Sequence, residues 1–193
     1  MTAALDIVDD EGLDKLTMKR LADKIGCGTM TIYSHVLGRD DLENAIVARL
    51  LAEIDSHIES DDTWADATRR AVTSYREMAR RHPRAFPLII SASSGGQATA
   101  AHIANMAVAL SATGISIDKA YTLIGIGDAF VTGYLLSETQ EPVLTESGVP
   151  AATVAQSTAI QRMRDLVSEA VWTGGLDAII IGVQQTMELP PAR

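Results

Sequence analysis

Apolar residues recur at three- and four-residue intervals through most of this 193-residue chain. In the segment 40–58, Leu42, Ile46, Leu50 and Ile54 fall every four residues, which places them on one side of a helix. No run alternates apolar and polar residues as a half-buried strand would. The pattern therefore predicts an all-α protein of about nine or ten helices.

Capping and helix-breaking residues divide this pattern into separate helices. Thr17 and Asp40 are placed to cap helices, whereas Gly26 and Gly38 are placed to end them. We expect a polar loop at 59–63, a flexible loop at 140–152 and an interruption at 173–175. The predicted helices cover residues 3–8, 17–25, 29–36, 40–58, 64–82, 86–93, 97–113, 116–138, 154–172 and 176–187.

The helices separate into a small N-terminal bundle and a larger apolar body, which predicts domains at 1–48 and 49–193. The segment Ala120–Leu136 is apolar enough to raise the alternative of a membrane span. It contains Asp128, is short for a span and is flanked by acids, so a buried helix and no membrane partner are favoured.

Composition and charge narrow the class of protein. Hydrophobic residues make up 47% of the chain, which excludes a disordered protein. The single cysteine, Cys27, allows no internal disulfide, and the N-terminal residues do not resemble a secretory signal, so we expect a cytoplasmic location. The net charge is −9, yet residues 13–39 hold five Lys or Arg against two Asp. A locally basic corner on an acidic protein is compatible with nucleic-acid binding there alone.

Residues 17–36 predict two short helices joined by a tight turn with glycine, which is helix-turn-helix spacing. An ordinary helical hairpin has the same spacing, so spacing alone leaves both possibilities open. In a DNA-binding unit the second helix would enter the major groove. Short hydroxyls can approach bases or phosphates, cations can reach phosphates, and Lys19 can reach guanine. The candidate DNA-binding residues are Thr17, Lys19, Thr29, Met30, Thr31, Tyr33, Ser34, His35 and Arg39.

The stretch LTMKRLADKIGCGTMTIYSHVLGRDDL, residues 16–42, closely resembles the DNA-binding segment of TetR-family transcriptional regulators. The matching features are Thr17, Leu21-Ala22, Gly26, the residues 31–35 and Arg39-Asp40, and the likeness covers about residues 3–48. It departs from the family where helix 1 begins late without a basic arm, and where Gly28 replaces a polar cap. The resemblance implies phosphate contacts at Thr17, Thr31, Tyr33, His35 and Arg39, and base contacts at Lys19, Thr29 and Met30.

The resemblance also implies a function: a ligand-responsive regulator, in its common mode a repressor, acting as a homodimer on double-stranded DNA with a near-palindromic operator. The last long helices would form the dimer interface, either 117–138 with 154–172 or 154–172 with 176–187. A tightly packed monomer core is the alternative reading. The acidic remainder of the chain predicts modest DNA affinity that falls steeply with salt. Small residues that allow close helix approach are Gly125, Gly127, Ala129, Gly133, Ala178 and Gly182.

Family members usually carry a cavity for a small molecule in the body, so we expect a small, largely hydrophobic effector. Polar or soft side chains within apolar helices are the candidates to line that cavity, although each could equally be a packed core residue. These candidates are Tyr75, Met78, Phe86, His102, Asn105, Met106, Tyr121, Asp128, Phe130, Tyr134 and Met163.

Enzyme signatures are lacking in the sequence. There is no P-loop, no HExxH and no CxxC, and the four histidines show no metal-ligand spacing. We therefore expect no enzymatic activity, no cofactor and no metal. The remaining alternative is a helical small-molecule-binding module that does not bind DNA.

Overall fold

Helices account for about three quarters of the residues described by a computed structural model, which covers residues 2–92, 96–139, 162, 165 and 167–191. No strand occurs among these residues, so the all-α prediction is confirmed. A single 3-10 turn, Leu13–Lys15, follows the first helix. The helices whose bounds lie within the described residues are α1 (Thr2–Glu11), α2 (Met18–Ile25), α3 (Thr29–Tyr33), α4 (Arg39–Leu51), α5 (Trp64–Arg81), α6 (Phe86–Ala92), α7 (Gln97–Ser111), α8 (Ile117–Thr139) and α9 (Glu169–Thr186).

The helix predicted over 40–58 is shorter than expected, because α4 ends at Leu51. Ile54 continues the apolar spacing and is buried, but it reaches the core from a turn rather than from a helix. Beyond it, the backbone N–H of Asp55 donates to Ser74 Oγ at 2.8 Å, and that of His57 donates to Asp55 Oδ1 at 2.9 Å. Side-chain acceptors thus replace the helical carbonyls as partners of this backbone.

The interruption predicted at 173–175 is also wrong, because α9 runs unbroken through these residues. Its start is set instead by Ser168, whose hydroxyl accepts from the backbone N–H of Val171 at 3.4 Å. A Cβ placed on Gly175 would lie 2.5 Å from Phe130 Cζ. The glycine therefore lets α9 approach α8 closely rather than ending a helix.

Several sequence predictions lie outside the described residues. These are the loop at 140–152 and the start of the helix predicted over 154–172. Residues 93–95, at the break between α6 and α7, also lie outside them.

The apolar core has two parts. One joins α1–α4 to the α5–α6 turn and to the facing ends of α8 and α9, with Ile7, Ile46, Phe86 and Leu135 fully buried within it. The other lies at the opposite end of the body, around Trp64, Leu123 and Ile180. Within the described part of the chain, no helix is long and apolar enough to cross a membrane.

Candidate nucleic-acid interface and effector cavity

The helix pair α2–α3 is fixed by local interactions that the sequence specifies. The Thr17 hydroxyl accepts from the backbone N–H of Arg20 at 3.0 Å, which caps α2. Gly26 ends α2 in the left-handed conformation, at φ 71°, and its N–H donates to the Ala22 carbonyl. The two-residue link to α3 then turns the chain tightly, so the helix-turn-helix geometry predicted from the spacing is present.

All nine candidate DNA-binding residues are exposed. They lie on α2 and α3, next to the ends of these helices and, for Arg39, at the start of α4. The third helix packs against the core through Ile32, and Val36, just beyond the end of the helix, is also buried. Met30 is 79% exposed and Tyr33 is 50% exposed. Ile25, whose helical spacing from Leu21 and Ala22 predicts the same inward side, is also 50% exposed. This surface therefore combines hydroxyls with unusually accessible apolar groups.

Two hydroxyls on this face differ in what they can still offer. Ser34 Oγ donates to the Thr31 carbonyl at 2.7 Å, so its hydrogen is already used. The Thr17 hydroxyl only accepts in its capping bond, which leaves its hydrogen free to donate to a phosphate oxygen. Thr17 is therefore the better equipped of the two to bind a DNA backbone.

The turn after α3 differs from the prediction in length and in cap. The third helix ends at Tyr33 rather than near residue 36. Asp41, not Asp40, receives the hydrogen bond at the start of α4, because its Oδ2 accepts from the backbone N–H of Leu37 at 2.9 Å. Gly28, the expected weak point, supplies no side-chain cap to α3.

Most of the basic charge around this face is neutralised within the chain. Arg20 bonds Glu11 at 2.6 Å, and Lys24 lies 3.7 Å from Asp10. Lys15 lies 3.3 Å from Asp14. Lys19 alone among the cations of residues 13–39 forms no ion pair with a described residue. The +3 sum over these residues therefore overstates the charge available to DNA.

Arg39 is held especially firmly. Its guanidinium donates to the carbonyls of Leu16 and Leu13 at 3.2 and 3.1 Å, and to Glu43 at 2.6 Å. These bonds tie the start of α4 to the turn before α2. These bonds use three of the five N–H groups of the guanidinium, so two remain to donate to a phosphate.

A cavity of about 250 Å³ lies in the body, with walls from α5, α6, α7, α8 and the end of α4. Of the candidate residues, Tyr75, His102, Met106, Tyr121 and Asp128 are among those that line it. Met163 lies outside the described residues. The structure places the other predicted residues off the cavity wall: Met78, Phe86 and Tyr134 in the core, Phe130 stacked 5.9 Å from Trp172, and Asn105 exposed to solvent. Asn105 lies three residues after His102 on α7, yet only His102 lines the cavity.

The cavity wall includes a polar residue that the sequence reasoning missed. Thr99 sits one turn before His102 on α7 and is buried. Burial lowers the pKa of His102, which favours its neutral form. Burial also raises the pKa of Tyr75, with a further contribution from the Asp128 carboxylate. A threonine in an Ala-rich helix carries little signal, apart from its three-residue spacing from His102.

A histidine links the N-terminal helices to the body. His82 follows α5, and its Nδ1 lies 2.6 Å from Asp9 Oδ2 on α1. Its Nε2 lies 3.3 Å from Glu53 Oε2, just after α4. Arg81 also bonds Glu53, at 2.8 Å. These contacts connect the α5–α6 turn to α1 and to the segment just after α4.

The outer faces of α8 and α9 expose small and apolar side chains together. Ile126 and Ile181 are 40% and 56% exposed. A Cβ on Gly125, Gly133 or Gly182 would meet no described atom within 4 Å apart from its own helix and chain neighbours. Gly125 also lines the cavity, whereas Gly133 and Gly182 pack against no described residue outside their own helices.

The geometry defines an all-helical protein with an N-terminal helix-turn-helix and a cavity-bearing helical body. The body, residues 58–187, matches the family model "Tetracyclin repressor-like, C-terminal domain". The chain therefore belongs to the TetR family of transcriptional regulators, which are DNA-binding proteins and not enzymes. Regulators of this family bind operator DNA and small molecules and act as dimers.

Individual relatives agree with this assignment. The chain is 28% identical to the class C tetracycline repressor of Escherichia coli, over 96% of this chain and 89% of that one. It is 33% identical to the class A repressor from transposon 1721 of Escherichia coli, over a segment that spans 44% of each protein. The structure of ActR from Streptomyces coelicolor, in complex with (S)-DNPA, shares the fold: its TM-score is 0.69, at 24% identity over 96% of this chain and 95% of ActR.

Proposed function

We propose that the protein is a homodimeric repressor that binds a near-palindromic operator and leaves it when a small hydrophobic molecule enters the body. Residues 1–48 bind DNA, and residues 49–193 bind the effector and form the dimer. The nine exposed residues of the α2–α3 face contact DNA, with Lys19, Thr29 and Met30 at the bases. The named relatives are tetracycline repressors, which supports this mode of action. A cytoplasmic location follows from a DNA partner.

One observation carries the DNA-binding proposal. The α2–α3 pair has its cap, its left-handed glycine and its buried Ile32 in place, while Thr29, Met30, Thr31 and Tyr33 all project outward. A core hairpin would bury apolar groups of this size; an exposed Met30 has no role in packing the chain. An α-helix presented in this way fits the major groove.

Dimerisation is proposed through α8 and α9. One helix-turn-helix covers a few base pairs, so useful specificity calls for two reading helices related by twofold symmetry. The open glycine positions and exposed isoleucines of α8 and α9 support an interface there. This pairing differs from both pairings considered from the sequence, since α9 begins at Glu169 and includes the glycine pair.

Effector control is proposed to act through α4. Leu51, at the end of α4, and Ile54, just after it, both line the cavity. The other end of α4 is tied to the turn before α2 by Arg39. A molecule that displaces the cavity end of α4 would therefore change the separation of the two reading helices in a dimer.

A gel-shift assay against DNA upstream of the protein's own coding sequence tests the DNA-binding proposal. We expect a shift with the wild-type chain that is lost on changing Thr31 and Tyr33 to Ala. Thr73→Ala, at an exposed position of α5, is the matched control and should leave the shift unchanged. Absence of any shift at low salt would favour the binding module without DNA affinity.

A further inference from the structure

Two neighbouring polar atoms on the wall of the cavity have no partner among the residues that the structure describes. Thr99 Oγ1 and His102 Nε2 are both buried and form no hydrogen bond with any of these residues. They come from residues three apart on α7, so they lie on one helix face, with Cβ atoms roughly 5–6 Å apart. Polar atoms buried without partners are rare and costly, and two in one apolar cavity indicate a ligand group that satisfies both.

The rest of the wall limits what that ligand can be. A second threonine of the wall, Thr68, is already satisfied, because its hydroxyl donates to the Trp64 carbonyl at 2.7 Å. No lysine or arginine is among the cavity-lining residues described, and the one formal charge is the carboxylate of Asp128. An anionic ligand would meet no counter-charge here and would be repelled by Asp128.

Size sets a second limit. An apolar cavity of about 150 Å³ accommodates benzene. The volume of about 250 Å³ measured here therefore has room for a larger, fused ring system.

We propose that the cavity binds an uncharged compound of about two fused rings through one hydroxyl group that bridges Thr99 and His102. The inference rests on the proposed function, since it takes this cavity as the effector site. The ligand hydroxyl donates to one of the two protein atoms and accepts from the other. The ring system fills the apolar remainder of the cavity.

A hydroxyl fits better than other polar groups because it both donates and accepts. If His102 Nε2 lacks a hydrogen, the ligand donates to it and accepts from the Thr99 hydroxyl. If Nε2 carries the hydrogen, the two directions are reversed, and the Thr99 hydroxyl rotates to accept. A carbonyl cannot donate and an ammonium group cannot accept, so neither satisfies both atoms in both tautomers.

Calorimetric titration of the full chain with 2-naphthol and naphthalene, at a pH where 2-naphthol is neutral, tests the proposal. The two probes share the ring system and differ by the one hydroxyl. We expect 2-naphthol to bind roughly tenfold or more tightly, the effect of satisfying buried hydrogen-bonding groups. Equal affinities, or no binding of either probe up to its solubility limit, would overturn the proposal.

Substitutions at Thr99 and His102 test whether these two side chains cause the preference for 2-naphthol over naphthalene. Thr99→Val combined with His102→Leu removes both polar atoms at similar volume, and it should bring the two affinities together. Thr68→Val makes the same chemical change at a hydroxyl that is already bonded, so the preference should persist. If the double variant keeps the preference, Thr99 and His102 are not the anchors.

The wild-type comparison does not depend on the folding of any variant. Gel shifts with the same preparations separate this proposal from the proposed function. Intact operator binding without hydroxyl preference would reject the ligand class alone. Loss of operator binding in the wild-type chain would reject the proposed function.

Discussion

The salt dependence of DNA binding tests directly how much charge the protein offers its operator. Each phosphate that a protein cation neutralises contributes about −0.9 to the slope of log K against log salt. Lys19, placed at the bases, also brings its charge close to the phosphates that border the groove. It is the one cation of residues 13–39 without an ion pair to a described residue, and a dimer carries two copies. Two such contacts give a slope of about −1.8, and about −3.6 if both Arg39 side chains also leave their partners.

These slopes are much shallower than the slope of roughly −5 to −9 expected for six to ten phosphate contacts. The net charge of −9 per chain flattens the slope further, because added salt screens the repulsion between the acidic body and DNA. From the ion pairs of the structure we therefore expect a shallower salt dependence than the acidic composition alone predicts. Hydroxyls and backbone N–H groups, which displace no counterions, must supply much of the binding.

The assay is fluorescence anisotropy of a labelled operator fragment, titrated at several NaCl concentrations. Lys19→Met should reduce the magnitude of the slope by about 1.8, to near zero. Lys15→Met is the matched control: Lys15 is paired with Asp14 and lies on the 3-10 turn, so the slope should not change. A wild-type slope steeper than about −5 would refute the reasoning, since it would mean that the ion pairs open on DNA.

Two further predictions concern the helical body. Arg76 is 4% exposed and bonds Glu138 at 2.7 Å, and Arg80 also bonds Glu138. The substitution Arg76→Met should lower the free energy of urea unfolding by about 2–3 kcal/mol. Arg80 is exposed, so Arg80→Met should lower it by less than about 1 kcal/mol. Burial alone would raise the pKa of Glu138, but the two arginines hold it below its ordinary 4.5. The stabilisation is therefore present above pH 4.5 and is lost as the pH falls through the lowered pKa. Equal losses of stability for both variants, or identical acid sensitivity of the wild type and Arg76→Met, would contradict this. Gly175→Ala should lower the free energy of unfolding by about 1–3 kcal/mol in the same measurement, because the new Cβ would meet the Phe130 ring at 2.5 Å. Adding Phe130→Leu should recover part of the loss. An unchanged urea midpoint for Gly175→Ala would show that the ring moves freely aside.

The helix-turn-helix could be predicted almost residue by residue because its signals are local. A threonine cap, a glycine that adopts φ 71° and two inward residues, Leu21 and Ala22, act within one or two turns of chain. The same reasoning failed for the ends of α4 and α9. There, apolar spacing and a glycine pair look like local signals of helix length. Ile54 is instead buried in the core from beyond the end of α4, and Gly175 makes room for the Phe130 ring of α8.

The sequence alone therefore determined the helical class, the reading pair of helices and the acidic character of the body. Tertiary structure decided which cations are free, because the acids that neutralise Arg20 and Lys24 lie on α1 and reach them only after packing. It also decided which polar side chains face the cavity: His102 and Thr99 do, whereas Tyr134 and Phe86 are in the core. Helical periodicity gives the face a residue occupies, but the neighbour across that face comes from elsewhere in the chain, and only the packed structure supplies it.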